Sequence, residues 1–190
     1  LPRAVSADPR ASVAFLGLLD VAAVLLTYMA VRRFGDARLA LVAAALYAVN
    51  PWAIVFSRKT WSDALPLFTV LALWAAYEVV VHRGRAWALL FFVAAALQVQ
   101  NHVIAVLYLP AIVLTVVLFW PRWRNRYTLW GILLGLLILS PYLTYLVAHW
   151  LDTRAVLRQN TGHGPILDLR ALTYGLWFTS GKTVTALMGR

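Results

Sequence analysis

The chain has 190 residues, of which 63% are hydrophobic and 13% are charged. Its mean hydropathy of +0.76 excludes an ordinary soluble domain, which needs more polar residues to cover its surface. The formal charge of +10 suggests nucleic acid, but the basic residues form short clusters between apolar runs and no continuous stripe. We therefore expect an integral membrane protein with the lipid bilayer, and no nucleic acid, as a partner.

The two ends of the chain and its cysteine content add a little to this picture. The sequence has no cysteine, which excludes disulfides and thiolate metal sites. The chain begins with Leu1, and its first ten residues lack the apolar core of a signal peptide. We expect the natural gene product to extend upstream of this residue.

Five apolar runs follow one another, and about 20 helical residues are needed to cross a hydrocarbon core of about 30 Å. The runs 11–31, 39–56 and 64–81 each predict one span. The run 86–120 is too long for one span, and its only polar break is 98–102, which leaves 12 residues before the break. We therefore predict two spans there, and the run 128–148 adds a sixth.

The arginines test this division of the chain. With two spans in 86–120, the loops "RRFGDAR", "HRGR" and "PRWRNR" lie on one side and carry eight arginines against Asp36. A single span would divide these arginines five to three. The two-span reading is therefore favoured, and the arginine-rich side should be cytoplasmic.

The predicted architecture is an all-α polytopic transmembrane helix bundle of about six spans in the inner (cytoplasmic) membrane, with both termini outside. Residues 1–148 form the membrane part. Residues 149–190 form an outer-face C-terminal tail, which is a loop or the start of a further segment. Tryptophans fall near the predicted span ends, as interfacial anchors do, at positions Trp52, Trp61, Trp87, Trp120, Trp123, Trp130 and Trp150.

The stretch "NPWAIVFSRKTWSDALP" lies in the predicted outer turn between the second and third spans. Here Arg58 and Lys59 stand close to the start of the third helix, which Ser62 can cap. Two cations beside the positive end of a helix dipole form an anion site in outline, suited to a lipid phosphate. Alternatively, the cations only snorkel toward headgroups and Trp61 is a belt residue. Asp63 can pair with a cation, cap the helix or orient a substrate hydroxyl.

The polar break at 98–102 predicts a second part of the same site. Twelve helical residues rise about 18 Å, so the fourth span is short and polar residues follow it into the membrane. Backbone at that depth is buried in protein or lines a wet cavity. We expect Gln98, Gln100, Asn101 and His102 to line a cavity open to the side of Arg58. The alternative is a simple hairpin turn at a thinned bilayer.

Metal binding is not predicted in this chain. The lone His102 has no second histidine or carboxylate at ligand spacing.

Two acidic residues lie within apolar runs. Asp20 is near the middle of the first span and should face the bundle interior, with an arginine or a polar backbone group as its partner. Helix packing is the favoured explanation. Glu78 stands one turn before His82 and Arg83 and is predicted to form ion pairs with them at the cytoplasmic end.

The stretch "RRFGDARLALVAAALYAVNPWAIVFSRKTWSDALPLF" resembles the membrane glycosyltransferases of the GT-C superfamily, which include protein O-mannosyltransferases and the lipid A aminoarabinose transferase. The resemblance covers roughly the first 150 residues: a basic loop with Gly35, a span rich in small residues, "NPW" and "SRKTWSDALP". It implies transfer of a hexosyl or pentosyl group from a polyprenyl-phosphate sugar donor. The acceptor would be a lipid, glycan or protein on the outer face.

The resemblance also implies where the catalytic acid lies. In that family it is in the first outer loop, upstream of the span that matches 11–31. Asp8, in "SADPR", does not match the acidic motif and is not named as the base. We therefore expect a fragment that lacks the catalytic loop and is inactive alone. A divalent cation stays open for the full-length protein.

Two other classes of protein stay open at this point. A membrane transporter or lipid flippase should show inverted repeats with matched broken helices, and no convincing pair is seen. In a binding or scaffold protein, residues 58–63 would only anchor the chain.

Overall fold

The computed structural model describes residues 9–56, 65–101, 105 and 108–150. These residues form eight α-helices and no strand, which confirms the predicted all-α membrane bundle. The helices are α1 (Pro9–Phe34), α2 (Ala37–Ala48), α3 (Pro51–Phe56), α4 (Leu65–Val80), α5 (Trp87–Asn101), α6 (Leu109–Leu118), α7 (Trp120–Trp123) and α8 (Arg126–Ala148).

Two of the described helices are long and apolar enough to cross a membrane. They are Arg10–Phe34 and Arg126–Ala148, with mean hydropathies of 2.1 and 2.0. The other apolar helices have 10–17 residues. The number of spans therefore stays a prediction.

The second predicted span, 39–56, is interrupted. Helix α2 ends at Ala48, and Pro51 starts α3 two residues after the C-cap Val49. The Asn50 side chain accepts a hydrogen bond from the Ala53 N–H, with 3.4 Å between the two atoms. Proline has no N–H for an interior helical bond but suits the first turn, so the run divides here.

The run 86–120 divides into α5 and α6, as predicted, but the helix ends later than expected. Residues 98–101 belong to α5, which has 15 residues and not 12. These four residues therefore continue the helix and do not form the alternative hairpin turn, and at 15 residues α5 is still shorter than the about 20 residues that cross a bilayer. Glutamine is a good helix former, and the Gln98 amide finds a partner outside its own helix, so polarity alone does not end the helix.

The helices pack in the order α2, α1, α4, α5, α8. The α5–α8 contact is parallel, because Gly131 lies against Leu89 near the start of α5 while Gly135 lies against Phe92 and Ala96 one turn later. Alanines dominate the buried core. This close approach of small residues is typical of helix association in membranes.

The three arginine-rich turns lie at one end of the bundle. Helix α1 meets the end of α4 through Arg33 and Glu78, and the start of α5 contacts α7 through Phe91 and Trp123, whose ring centroids are 4.8 Å apart. We call this the basic end, formed by residues 32–38, 82–85 and 121–126. The end of α2, the start of α4 and the end of α5 lie at the opposite end.

Trp123 is not the interfacial anchor that the sequence predicts. Its side chain is fully buried and packs on the rings of Phe91 and Phe92. The Trp123 carbonyl accepts from the Thr128 hydroxyl. Trp123 lies in the short helix α7, which directs its indole ring toward the bundle. The position of Trp123 near the end of an apolar run does not show in which direction its side chain points. Within the described part of the chain, Trp123 Nε1 has no hydrogen-bond partner.

Candidate functional site

Most of the predicted phosphate-binding residues lie outside the described residues, namely Arg58, Lys59, Trp61, Asp63 and His102. Gln100 and Asn101 are described. Both occupy the last turn of α5, and both are exposed. The start of α4 and the end of α5 border the segments that contain the other five.

One hydrogen bond joins the helices that border the two polar segments. The Gln98 Nε2 donates to Thr69 Oγ1 over 2.7 Å. Thr69 is in the first two turns of α4, which follows residues 57–64, and Gln98 is in the last turn of α5, which precedes 102–104. The start of α4 is thus fixed beside the end of α5.

A groove opens between α4, α5 and α6 next to this bond. Its volume is about 160 Å³, and its lining is mostly apolar. Its residues are Thr69, Ala72, Leu73, Ala76, Phe91, Gln98, Tyr108, Ala111, Ile112 and Thr115. Gln98 is buried, with 4% of its surface exposed. The amide that was expected to face a cavity does line this groove.

Sequence reasoning missed Thr69 and Tyr108. Each carries a hydroxyl group and lies within an apolar run. Thr69 accepts from Gln98, and Tyr108 lines the same groove. A search for polar residues at matched depth on neighbouring spans is the signal that could have found them, because a buried amide must be hydrogen-bonded.

At the basic end, Glu78 does form an ion pair, as predicted, but its partner is neither His82 nor Arg83. Glu78 is paired with Arg33 of α1, with 2.7 Å between Arg33 Nε and Glu78 Oε1, and Trp74 Nε1 donates to the same oxygen over 3.1 Å. Helix α4 ends before Arg83, whose φ of 58° is left-handed. The chain therefore turns away, and a neighbouring helix supplies the cation.

Asp20 has a different partner from either of those predicted. The Tyr47 hydroxyl of α2 donates to Asp20 Oδ1 over 2.7 Å. Both side chains are half-buried between α1 and α2. The carboxylate thus joins two helices, in keeping with the favoured packing role.

The carboxylates of the described residues are all engaged. Asp20 accepts from Tyr47, Glu78 pairs with Arg33, and Asp36 caps α2 by accepting from the Leu39 N–H over 2.7 Å. In this part of the chain, no three His, Asp or Glu side chains come together as metal ligands. The described residues can therefore bind and position reactants, but they offer no unengaged carboxylate as a base.

The comparisons with known proteins fit this arrangement of apolar helices. The family model of the dolichyl-phosphate-mannose-protein mannosyltransferases matches residues 7–145. The match covers more than half of the chain, so the chain belongs to this family. Its members are GT-C glycosyltransferases that use a lipid-linked sugar, which confirms the resemblance seen in the sequence. No curated protein and no solved structure matches the chain.

Proposed function

We propose that the chain is part of an enzyme that transfers a glycosyl group from a polyprenyl-phosphate sugar to an acceptor at the outer face of the cytoplasmic membrane. Membership of the mannosyltransferase family supports glycosyl transfer from a lipid-linked donor.

The orientation follows from the charge of the two ends. The basic end carries eight arginines and Asp36, and Glu78 lies in the last turn of α4 beside it. Since arginine-rich loops stay on the cytoplasmic side, this end faces the cytoplasm. The start of α4 and the end of α5 then face outward.

The Thr69–Gln98 hydrogen bond is the observation that supports a shared site. It holds together the two helices that border residues 57–64 and 102–104. With these helices side by side, Arg58 and Lys59 can meet the amides of Gln100 and Asn101 around one phosphate. Trp61, Asp63 and His102 complete this proposed donor site.

The chemistry needs little more than positioning and charge stabilisation. An acceptor hydroxyl attacks the anomeric carbon with inversion, the bond to the phosphate oxygen breaks, and the lipid phosphate leaves with the bonding electrons. Negative charge grows on that phosphate in the transition state. Arg58 and Lys59 stabilise it, which is the kind of electrostatic contribution that lowers the barrier most. A base in another part of the full-length protein takes the hydroxyl proton, because the carboxylates of the described residues are engaged.

Substitution of Arg58 tests this assignment. In the full-length gene product, Arg58→Ala should lower the rate of transfer from a labelled polyprenyl-phosphate sugar at least about 100-fold, the scale for losing one group that stabilises transition-state charge. Arg58→Lys should retain more activity. Arg38→Ala, a matched loss of charge at the basic end, should leave the rate unchanged. Equal rates for Arg58→Ala and Arg38→Ala would remove the assignment.

The orientation has its own test. These 190 residues contain no cysteine, so once any cysteine elsewhere in the full-length protein is replaced, single cysteines introduced here can be labelled selectively. Arg58→Cys and Asn101→Cys should react with a membrane-impermeant maleimide added to intact cells. Arg38→Cys and Arg124→Cys should react only after permeabilisation. A label on position 38 in intact cells, or none on position 101, would contradict the proposed sidedness.

A further inference from the structure

The second half of the membrane domain has an unusual charge distribution. Residues 79–150 include five arginines and no aspartate or glutamate. The arginines are Arg83, Arg85, Arg122, Arg124 and Arg126. Among the described residues, the carboxylate–guanidinium ion pair is Arg33–Glu78, which involves none of these five. This half of the basic end is thus strongly positive.

The parallel packing of α5 and α8 concentrates that charge. Gly131 lies so close to α5 that a β-carbon on it would be 2.9 Å from the Leu89 Cα. Arg85 precedes Leu89 by four residues, and Arg124 and Arg126 precede Gly131 by seven and five, so all three lie on the same side of the crossing, next to the starts of α5 and α8. The turns that contain Arg85 and Arg124 therefore converge.

The local electrostatics favour an anion between these turns. Two parallel helices with adjacent starts bring the positive ends of their dipoles together. The cap of α8 is the neutral Asn125 side chain, which accepts from the Tyr127 and Thr128 N–H groups. The guanidinium of Arg126 lies 5.0 Å from the Tyr127 ring centroid, which orients the cation without neutralising it. Arg85 and Arg124 are exposed.

The surroundings of this surface indicate which kind of anion it meets. Trp130 and Trp120 flank it on α8 and α7, with 56% and 53% of their surfaces exposed. Exposed tryptophans at the end of apolar helices lie at the level of the lipid headgroups. A partner at that level is part of the bilayer itself.

We propose that the basic surface at the starts of α5 and α8, formed by Arg85, Arg124 and Arg126, binds the headgroup of an anionic phospholipid. The phosphodiester accepts from the guanidinium groups, and the acyl chains lie against the apolar side of α8. This site is at the opposite end of the bundle from the proposed donor site and does not depend on it.

The test compares two double variants, each of which removes two arginine charges from the basic end. The full-length gene product in neutral detergent is incubated with phosphatidylglycerol or phosphatidylcholine, and bound lipid is counted by native mass spectrometry. Arg85→Gln/Arg124→Gln should lower the preference for phosphatidylglycerol roughly 25-fold, from about a fivefold loss per arginine at a membrane surface. Arg32→Gln/Arg38→Gln, at the far side of the same end, should lower it less than about threefold.

A further variant separates lost charge from lost structure. Arg85→Lys/Arg124→Lys keeps both charges and should keep most of the preference. Equal losses in the lysine and glutamine variants would overturn the proposal, because the effect would then be structural. Equal losses in the two glutamine variants would also overturn it, because binding would then follow net charge alone. Competition by millimolar inorganic phosphate as strong as that by the lipid would assign the surface to a free anion instead.

Discussion

The pair α1–α4 and the pair α5–α8 are held together in different ways. Between α1 and α4 the contact is polar and aromatic: Arg33 reaches the buried Glu78, and the rings of Phe34 and Tyr77 are 4.3 Å apart. Between α5 and α8 the contact is backbone against backbone at Gly131. Because lipid is as apolar as a leucine side chain, burial alone does not join helices in a membrane. The bundle uses an ion pair with a buried carboxylate between α1 and α4, and a glycine that lets the backbones touch between α5 and α8.

The largest effect is expected at the glycine contact. Gly131→Ala puts a methyl group 2.9 Å from the Leu89 Cα and 3.1 Å from the Ala88 carbonyl oxygen. The helices must separate, and overpacking of this kind costs about 1–3 kcal/mol. Unfolding in mixed micelles of increasing SDS content should show the loss of stability.

Gly135→Ala is the matched control. A β-carbon there would meet its nearest atoms at 3.4 Å and 3.5 Å, which is ordinary contact. The gain in helix propensity, up to about 1 kcal/mol, should leave this variant as stable as the parent or slightly more so. Similar losses at positions 131 and 135 would mean that the close crossing does not lie where the structure has it.

The next largest loss of stability is expected at the Arg33–Glu78 ion pair, and it should depend on which of the two residues is replaced. Arg33→Met removes the ion-pair partner of the buried Glu78 carboxylate and leaves the Trp74 N–H as its hydrogen-bond donor, whereas Glu78→Gln leaves a neutral amide beside a half-exposed cation. Removing the partner of a buried charge is the costlier change. Arg33→Met should therefore lower the SDS midpoint more than Glu78→Gln.

The double variant sharpens this comparison. Arg33→Met/Glu78→Gln removes the unpaired charge as well, so it should be more stable than Arg33→Met alone. If the double variant is instead the less stable of the two, Glu78 does not depend on Arg33 for its charge compensation.

The smallest effect is expected for the Gln98–Thr69 hydrogen bond. A double-mutant cycle with Gln98→Leu and Thr69→Val should give a coupling of about 0.6 kcal/mol, the average for side-chain bonds between membrane helices. Thr115 lines the same groove but donates to Ala111 of its own helix over 2.8 Å. Gln98→Leu and Thr115→Val should therefore be additive. Coupling in the second cycle but not in the first would contradict the observed partner.

The sequence predicts the apolar helices well and their ends less well. The run 64–81 becomes Leu65–Val80, and the run 128–148 becomes Arg126–Ala148. Composition defines these runs directly. The break at Val49–Asn50 is marked by the proline that follows it, but the partner of the Gln98 side chain is Thr69, 29 residues earlier in the chain. The exposed Gln100 and Asn101 also continue α5, so polar residues do not by themselves end a helix.

Partners of charged side chains are harder to predict than their helices. From spacing along the helix, His82 and Arg83 are the predicted ion-pair partners of Glu78, because they are nearby in sequence. The observed partner, Arg33, is 45 residues away, and nothing in one apolar run shows which neighbour it packs against. For the donor site, sequence reasoning named seven residues, and the two described ones, Gln100 and Asn101, lie exposed at the end of α5. Their role stays a prediction.

The close crossing of α5 and α8 has a consequence for biosynthesis. Helices α1 and α2 are joined by a short turn and can pair as soon as both have left the ribosome. Gly131 is synthesised 42 residues after Leu89, its contact on α5. Larger proteins are most prone to misassembly while such surfaces are unpaired. A nascent chain that stalls near residue 120 would present the alanine-lined side of α5 to lipid or to an insertase. Membrane quality control should recognise that intermediate first.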